Sequence, residues 1–164
     1  AAVPGSGAPA LDPESPVLAG VRWRTPPAFT FRRPSMPMRA AEYVIAGDAG
    51  EALMTVFHFP GMGGSVDDNV GRWVGQFTVA GTEEPELYRA TREAEGLEVH
   101  LVDVRGTYVN SMTQTPPTPD TRLLGAIVQG PQGPVFFKLV GPAATVEAAK
   151  AAFEAFTASL GPAA

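Results

Sequence analysis

The run Ala52–Phe59, ALMTVFHF, constrains the fold more than any other stretch of this chain. It is short, followed by Pro60 and Gly61, and apolar at odd and even positions alike. A strand of this kind has no face to give to water, so it belongs in the middle of a sheet covered on both sides. The residues before it support the same reading. Phe29–Arg33 (FTFRR) reads as a strand stopped by Pro34, and Arg39–Ala46 (RAAEYVIA) as a second, ended by Gly47-Asp48-Ala49-Gly50. The turn into the third strand is short, so the last two form a hairpin.

Two stretches carry a helical stripe. Pro60-Gly61-Met62-Gly63-Gly64 breaks the chain, and a helix starts at Ser65. Ser65 and Asp68 fit a capping box in which Asp replaces the more usual Glu. Asp67 and Asp68 also suit the positive end of the helix dipole. The apolar stripe is Val66, Val70, Trp73, Val74 and Phe77, and the helix is expected to end near residues 79–81. The second helix is predicted over Thr145–Leu160, with Thr145 as N-cap, Gly161 as the stop and a stripe of Ala149, Phe153, Phe156 and Leu160. Between them, after an acidic turn, Leu87–Glu95 and Leu97–Val109 read as strands. Gln114–Asp120 (QTPPTPD) reads as a rigid loop. Leu123–Gln129 and Val135–Val140 read as strands joined by a GPQGP hairpin turn. The predicted order is β-β-β-α-β-β-β-β-α. Hairpins dominate it, so the expected fold is α+β, a mostly antiparallel sheet covered by two amphipathic helices.

A chain of 164 residues with 45% hydrophobic residues suits one domain with one real core. Residues 1–20 hold no aromatic or basic residue and are rich in Pro, Gly, Ser and Ala. They read as a flexible tether, or else as a frayed terminus, ahead of a single domain over 21–161. The absence of an initiator Met and of a signal peptide suggests a processed or truncated start. The formal charge of −5 argues against a nucleic-acid partner. With no cysteine, disulfide frameworks, zinc ribbons and cysteine nucleophiles are excluded. No uncharged apolar run reaches the ~18 residues of a membrane-spanning helix.

Five constellations are candidates for chemistry. Asn69, Arg72, Trp73 and Gln76 share adjoining positions of the first helix. An aromatic flanked by Arg and amides suits recognition of a protein partner; the competing reading is a core Trp with structural polar neighbours. The glycine turn before that helix is a place for an anion, but it lacks GK[ST] and G-x-G-x-x-G, and Asp67 and Asp68 repel phosphate. His58 with Met36, Met38 and nearby Met62 offers soft ligands for a copper-type metal, although Met also serves as core filler. Arg22, Arg24, Arg32, Arg33 and Arg39 cluster without an acid, while Glu83, Glu84, Glu86, Glu93, Glu95 and Glu98 crowd the middle of the chain. The Arg cluster either faces anionic headgroups or an acidic partner, or pairs with the acidic stretch inside the fold. For catalysis the chain offers no G-x-S-x-G elbow beside its two His. Asp67 and Asp68 point about 100° apart on a helix, and Asp103 near Arg105 reads as an ion pair. No cofactor is expected.

The N-terminal hairpin, the helix after the third strand, the antiparallel meander and a final helix ending in Phe153, Phe156 and Ser159-Leu160 resemble the PsbP-like fold family. That family includes photosystem-associated lumenal proteins and DcrB-like bacterial lipoproteins. The resemblance spans residues 21–161 and implies a non-catalytic, extracytoplasmic accessory factor. Together with the tether-like start it implies a lipid-anchored protein, its acylated Cys lying outside this chain. The expected function is protein–protein recognition through Asn69, Arg72, Trp73 and Gln76. A small-ligand or metal-binding domain using His58, Met36 and Met38 is the alternative, and an enzyme the third reading.

Overall fold

The computed structural model describes residues 11–34, 38–58, 65–78, 85–109 and 116–163. Two short strands, β1 (Val17–Leu18) and β2 (Val21–Arg22), come first, followed by β3 (Thr30–Arg32), β4 (Arg39–Ile45) and β5 (Ala52–His58). Then come α1 (Val66–Val74), β6 (Phe77–Thr78), β7 (Glu86–Ala94) and β8 (Leu97–Tyr108). The chain continues through β9 (Thr118–Gly130), β10 (Gly133–Pro142), α2 (Ala143–Ala158) and β11 (Gly161–Pro162).

The main sheet runs β3-β4-β5-β10-β9-β8-β6, with β7 also paired to β8. All its pairs are antiparallel. β5 lies inside it, between β4 and β10, as its two-sided apolarity requires. Ala52, Met54 and Val56 join one apolar cluster, and Phe57 packs against another. The first cluster is closed by Val146, Ala149, Phe153, Phe156 and Leu160, the stripe of α2 and the residue just beyond it. The second is closed by Val70 and Trp73 of α1 and by Phe77. The molecule is therefore a sheet between two helical layers. Among the described residues no helix is long and apolar enough to cross a membrane.

The capping box forms as the sequence indicates. The Asp68 amide donates to Ser65 Oγ at 3.0 Å, and the Ser65 amide to Asp68 Oδ2 at 3.3 Å. α1 nevertheless stops at Val74, because Phe77 and Thr78 leave to pair with Tyr108 and Thr107 of β8. α2 begins after Pro142 rather than Thr145. The Thr145 hydroxyl is buried and donates instead to the Gly50 carbonyl at 2.7 Å, tying the helix to the β4–β5 turn. Thr118, Pro119 and Asp120, expected in a loop, begin β9.

The tether reading of residues 1–20 holds less of the chain than expected. β1 pairs with β2, β2 also pairs with β11 beyond α2, and Leu11 and Leu18 pack on the first cluster. β1 rests on β2, and the strand that pairs with the other edge of β2 arrives about 140 residues later in the sequence, so the local composition of residues 1–20 carries no trace of it. Residues 1–10 lie outside the described residues.

Candidate functional site

α2 lies across β9 and β10. The sheet continues past it through β8 to β7. On this face Tyr88, Arg92 and Ala94 of β7 stand opposite Asp103, Val99 and Leu97 of β8. Between this overhang and the second half of α2 opens a cavity of about 660 Å³, a size typical of ligand sites. Its floor is Val99, Leu101, Leu124 and Phe153. Its rim carries Arg92 and Lys150 against Glu93, Glu95, Asp103 and Glu154, so acids outnumber bases.

One end of the groove is fixed by a carboxylate–guanidinium pair. Arg122 donates to Asp103 through Nε at 2.9 Å and Nη2 at 2.7 Å, a forked geometry that sets both side chains. Its Nη1 reaches Glu147 of α2 and holds that carboxyl below the usual carboxylate range. Asp103 thus pairs across to β9, not with Arg105 on its own strand. Glu95 is bound to Arg22. On β7 itself, Leu87 is 45% exposed and Tyr88, which also lines the groove, 62%.

The first-helix residues expected to form a recognition surface are arranged differently. Trp73 is only 6% exposed, and its ring packs edge-on against Phe136. It has no free surface to offer as an apolar anchor. Asn69 is buried, donating to the Ser65 carbonyl at 2.8 Å and accepting from Arg72 at 3.2 Å. Arg72 is exposed. Gln76 accepts a 2.7 Å bond from Lys138 Nζ.

Lys138 was not singled out by the sequence reasoning, although the signal was present. It is the one charge inside β10. Its ammonium also lies 3.4 Å from the Tyr108 hydroxyl and 5.7 Å from that ring's centroid. Burial, and then the charges of Arg39 and Arg72, push its pKa down to about 8.

The N-terminal Arg cluster is partly consumed within the fold. Arg32 and Arg39 converge on the fully buried Glu42, Arg32 through Nε at 3.0 Å and Nη2 at 2.7 Å and Arg39 through Nη1 at 2.7 Å. Arg22 takes Glu95 from the acidic stretch. The alternative metal site does not assemble from what is described. His58 Nδ1 sits 3.0 Å from the Pro134 carbonyl, Met38 is largely exposed, and Met36 and Met62 lie outside the described residues. No group of three or more His, Cys, Asp or Glu that could hold a metal occurs among the described residues.

Against solved structures, the chain matches the solution structure of cyanobacterial PsbP (CyanoP) from Synechocystis sp. PCC 6803, with a TM-score of 0.54 at 13% identity. The match covers 98% of this chain and 96% of that one. The fold is PsbP-like. A crystal structure of PA94, a protein of unknown function from Pseudomonas aeruginosa, matches at 14% identity and a TM-score of 0.47, covering 77% of this chain and 91% of that one. No protein-family profile and no curated protein matches the chain. Within this PsbP-like frame, the groove beside α2 and the charged cluster beneath α1 lie on opposite faces of one sheet.

Proposed function

We propose that this chain is a non-catalytic accessory protein that holds an extended, apolar segment of a partner polypeptide, flanked by charged residues, in the groove between α2 and the β7–β8 overhang. The observation that carries this reading is the groove itself, open, apolar at its floor and charged at its rim. It is long as well as deep. Its β7 wall from Tyr88 to Ala94 runs about 20 Å at ~3.3 Å per residue. Its α2 wall from Lys150 to Ala158 runs about 12 Å. That shape suits an extended chain of a few residues. With Glu95 and Asp103 paired to Arg22 and Arg122, the rim presents Glu93 and Glu154 beside Arg92 and Lys150, charges of both signs that complement charged side chains flanking the apolar segment. Exposed Tyr88 supplies the aromatic contact common in such interfaces.

A non-catalytic role agrees with the lining. Among the described residues no His or Ser lines the cavity, and Asp103 is already committed to Arg122. The PsbP-like fold supports an extracytoplasmic setting, the setting implied by the lumenal and lipoprotein members that the sequence resembles. The Pro-, Ala- and Gly-rich composition of residues 1–10 suits a spacer to a lipid anchor.

Selection of random twelve-residue peptides displayed on phage against the whole chain tests the groove. Enriched peptides should share an apolar centre with flanking charged residues. Their affinity should fall about tenfold or more in Ala158→Trp, which fills the groove from the exposed end of α2, and should be unchanged in Arg72→Gln. Peptides that bind Ala158→Trp as well as the parent chain, or that share no apolar centre, would sink the reading.

A further inference from the structure

We infer that the opposite face of the sheet, at the C-terminal end of α1, carries a binding site for a phosphate-type oxyanion, built from Lys138, Arg72 and Gln76 beside Arg39. The site is independent of the groove. Its first support is a donor count. An ammonium has three N–H donors, and Lys138 directs two toward neutral acceptors, Gln76 Oε1 and the Tyr108 hydroxyl. Arg72 is exposed and spends one N–H on Asn69, leaving the rest of its fork for a ligand. Gln76 follows the Gly75 cap of α1, and its amide donates to the Trp73 carbonyl at 3.1 Å, so it stands just past the helix end that Arg72 occupies.

The second support is the local balance of charge. Arg39 reaches into this region from β4 through its bond to Glu42, which stands in the same cross-sheet row as Thr55 and Lys138. Glu42 is already shared between Arg32 and Arg39. Of the acids on α1 itself, Asp67 pairs with Arg89, and Asp68, one turn before Arg72, is engaged in the capping box. Among the described residues, then, neither Lys138 nor Arg72 has a carboxylate partner. In a chain with a formal charge of −5, two such cations at one helix end, with the Glu42-bound Arg39 close by, leave a place for an anion. The pKa of Lys138 is depressed first by burial and then by Arg39 and Arg72, so the two guanidinium groups act on this ammonium. Guanidinium and ammonium groups together suit the several oxygens of a phosphoryl group, the first through its fork and the second as a point charge. A free phosphate and an anionic lipid headgroup share this chemistry.

Amide NMR spectra of the full chain, titrated with inorganic phosphate and with sodium chloride at equal ionic strength, test the site. Phosphate should give saturable shifts at residues 72–76 and 138 that chloride does not reproduce. Arg72→Gln and Lys138→Met should each weaken phosphate binding about tenfold or more. Arg72→Gln alters an exposed side chain and leaves the packing intact. Sedimentation with phosphatidylglycerol vesicles, against phosphatidylcholine vesicles, distinguishes the sources. Capture that Arg72→Gln abolishes assigns the site to a headgroup, and phosphate shifts without capture assign it to a free oxyanion. Shifts that chloride matches, or that persist in both variants, overturn the inference.

Discussion

Lys138 shows what one charge does inside a strand of Val, Phe and Leu. Its pKa of about 8 lies below the ordinary lysine value of 10.5, because burial and the neighbouring Arg39 and Arg72 disfavour the charged form. The unfolded chain keeps this proton up to the ordinary value. Between about pH 8 and 10.5 the unfolded state therefore binds more protons, and stability from this group rises with pH. Below about pH 8 both states are protonated and the cost is fully present, at most about 3 kcal/mol from the gap between the two values. Lys138→Met should consequently be more stable than the parent at pH 7, by about 1–3 kcal/mol once the lost bond to Gln76 is counted. That advantage should vanish by about pH 10.5. Urea unfolding of both proteins at the two pH values measures it, and a variant less stable at pH 7 would show that the charge is compensated in the fold. At this scale the sequence was legible only in part. The spacing of Asn69, Arg72, Trp73 and Gln76 placed them on adjoining positions, but periodicity cannot tell a Trp at the edge of a stripe from one at its centre. Trp73 is the centre, since Gly125 across from it has no side chain to hold it off.

That glycine also decides how α1 sits on the sheet. Gly125 lies in β9 between Leu123 and Ile127, on the face covered by α1, and a Cβ there would run into the ring of Trp73. Gly125→Ala should therefore lower stability by about 1–3 kcal/mol through overpacking. Gly71, on the outer side of the same helix, meets nothing within 4 Å. Gly71→Ala should raise stability by about 0.5–1 kcal/mol, the ordinary helix preference for Ala. Thermal melts of the two variants give opposite signs if α1 is pressed onto the sheet at Gly125; a neutral Gly125→Ala would mean that the helix can lift without cost. Long elements were readable from the chain because their apolar period repeats several times. β4, β5, β7, β8, β10 and the stripe of α2 fall where alternation and helical spacing put them. The two-residue strands β1, β2, β6 and β11 have no period to read, and β2, β6 and β11 pair with partners distant in sequence. The start of α2 was misjudged for a similar reason. Thr145 looks like a cap locally, and only the approach of the Gly50 carbonyl gives its hydroxyl another use.

For the whole molecule, β5 placed the sheet between two layers, and the two helical stripes supplied the layers. The groove was not visible in advance because it is an absence of cover. α2 lies over β9 and β10 while the sheet runs on to β7, and no local pattern records how far a helix reaches across its sheet. The same layering separates the two proposed sites. The groove opens on the α2 face, and Lys138, Gln76 and Arg72 lie toward α1, with the close-packed strands between them. Changes at distant sites that share no partner add nearly independently. Filling the groove by Ala158→Trp should therefore leave the phosphate-induced shifts at residues 72–76 and 138 as they are in the parent, with dissociation constants equal within about twofold. Lys138 and Leu124 occupy neighbouring strands, β10 and β9, and their side chains point to opposite faces. If Ala158→Trp weakened phosphate binding more than that, the sheet would be transmitting strain from one layer to the other, and the two faces would form one regulated unit rather than two separate surfaces.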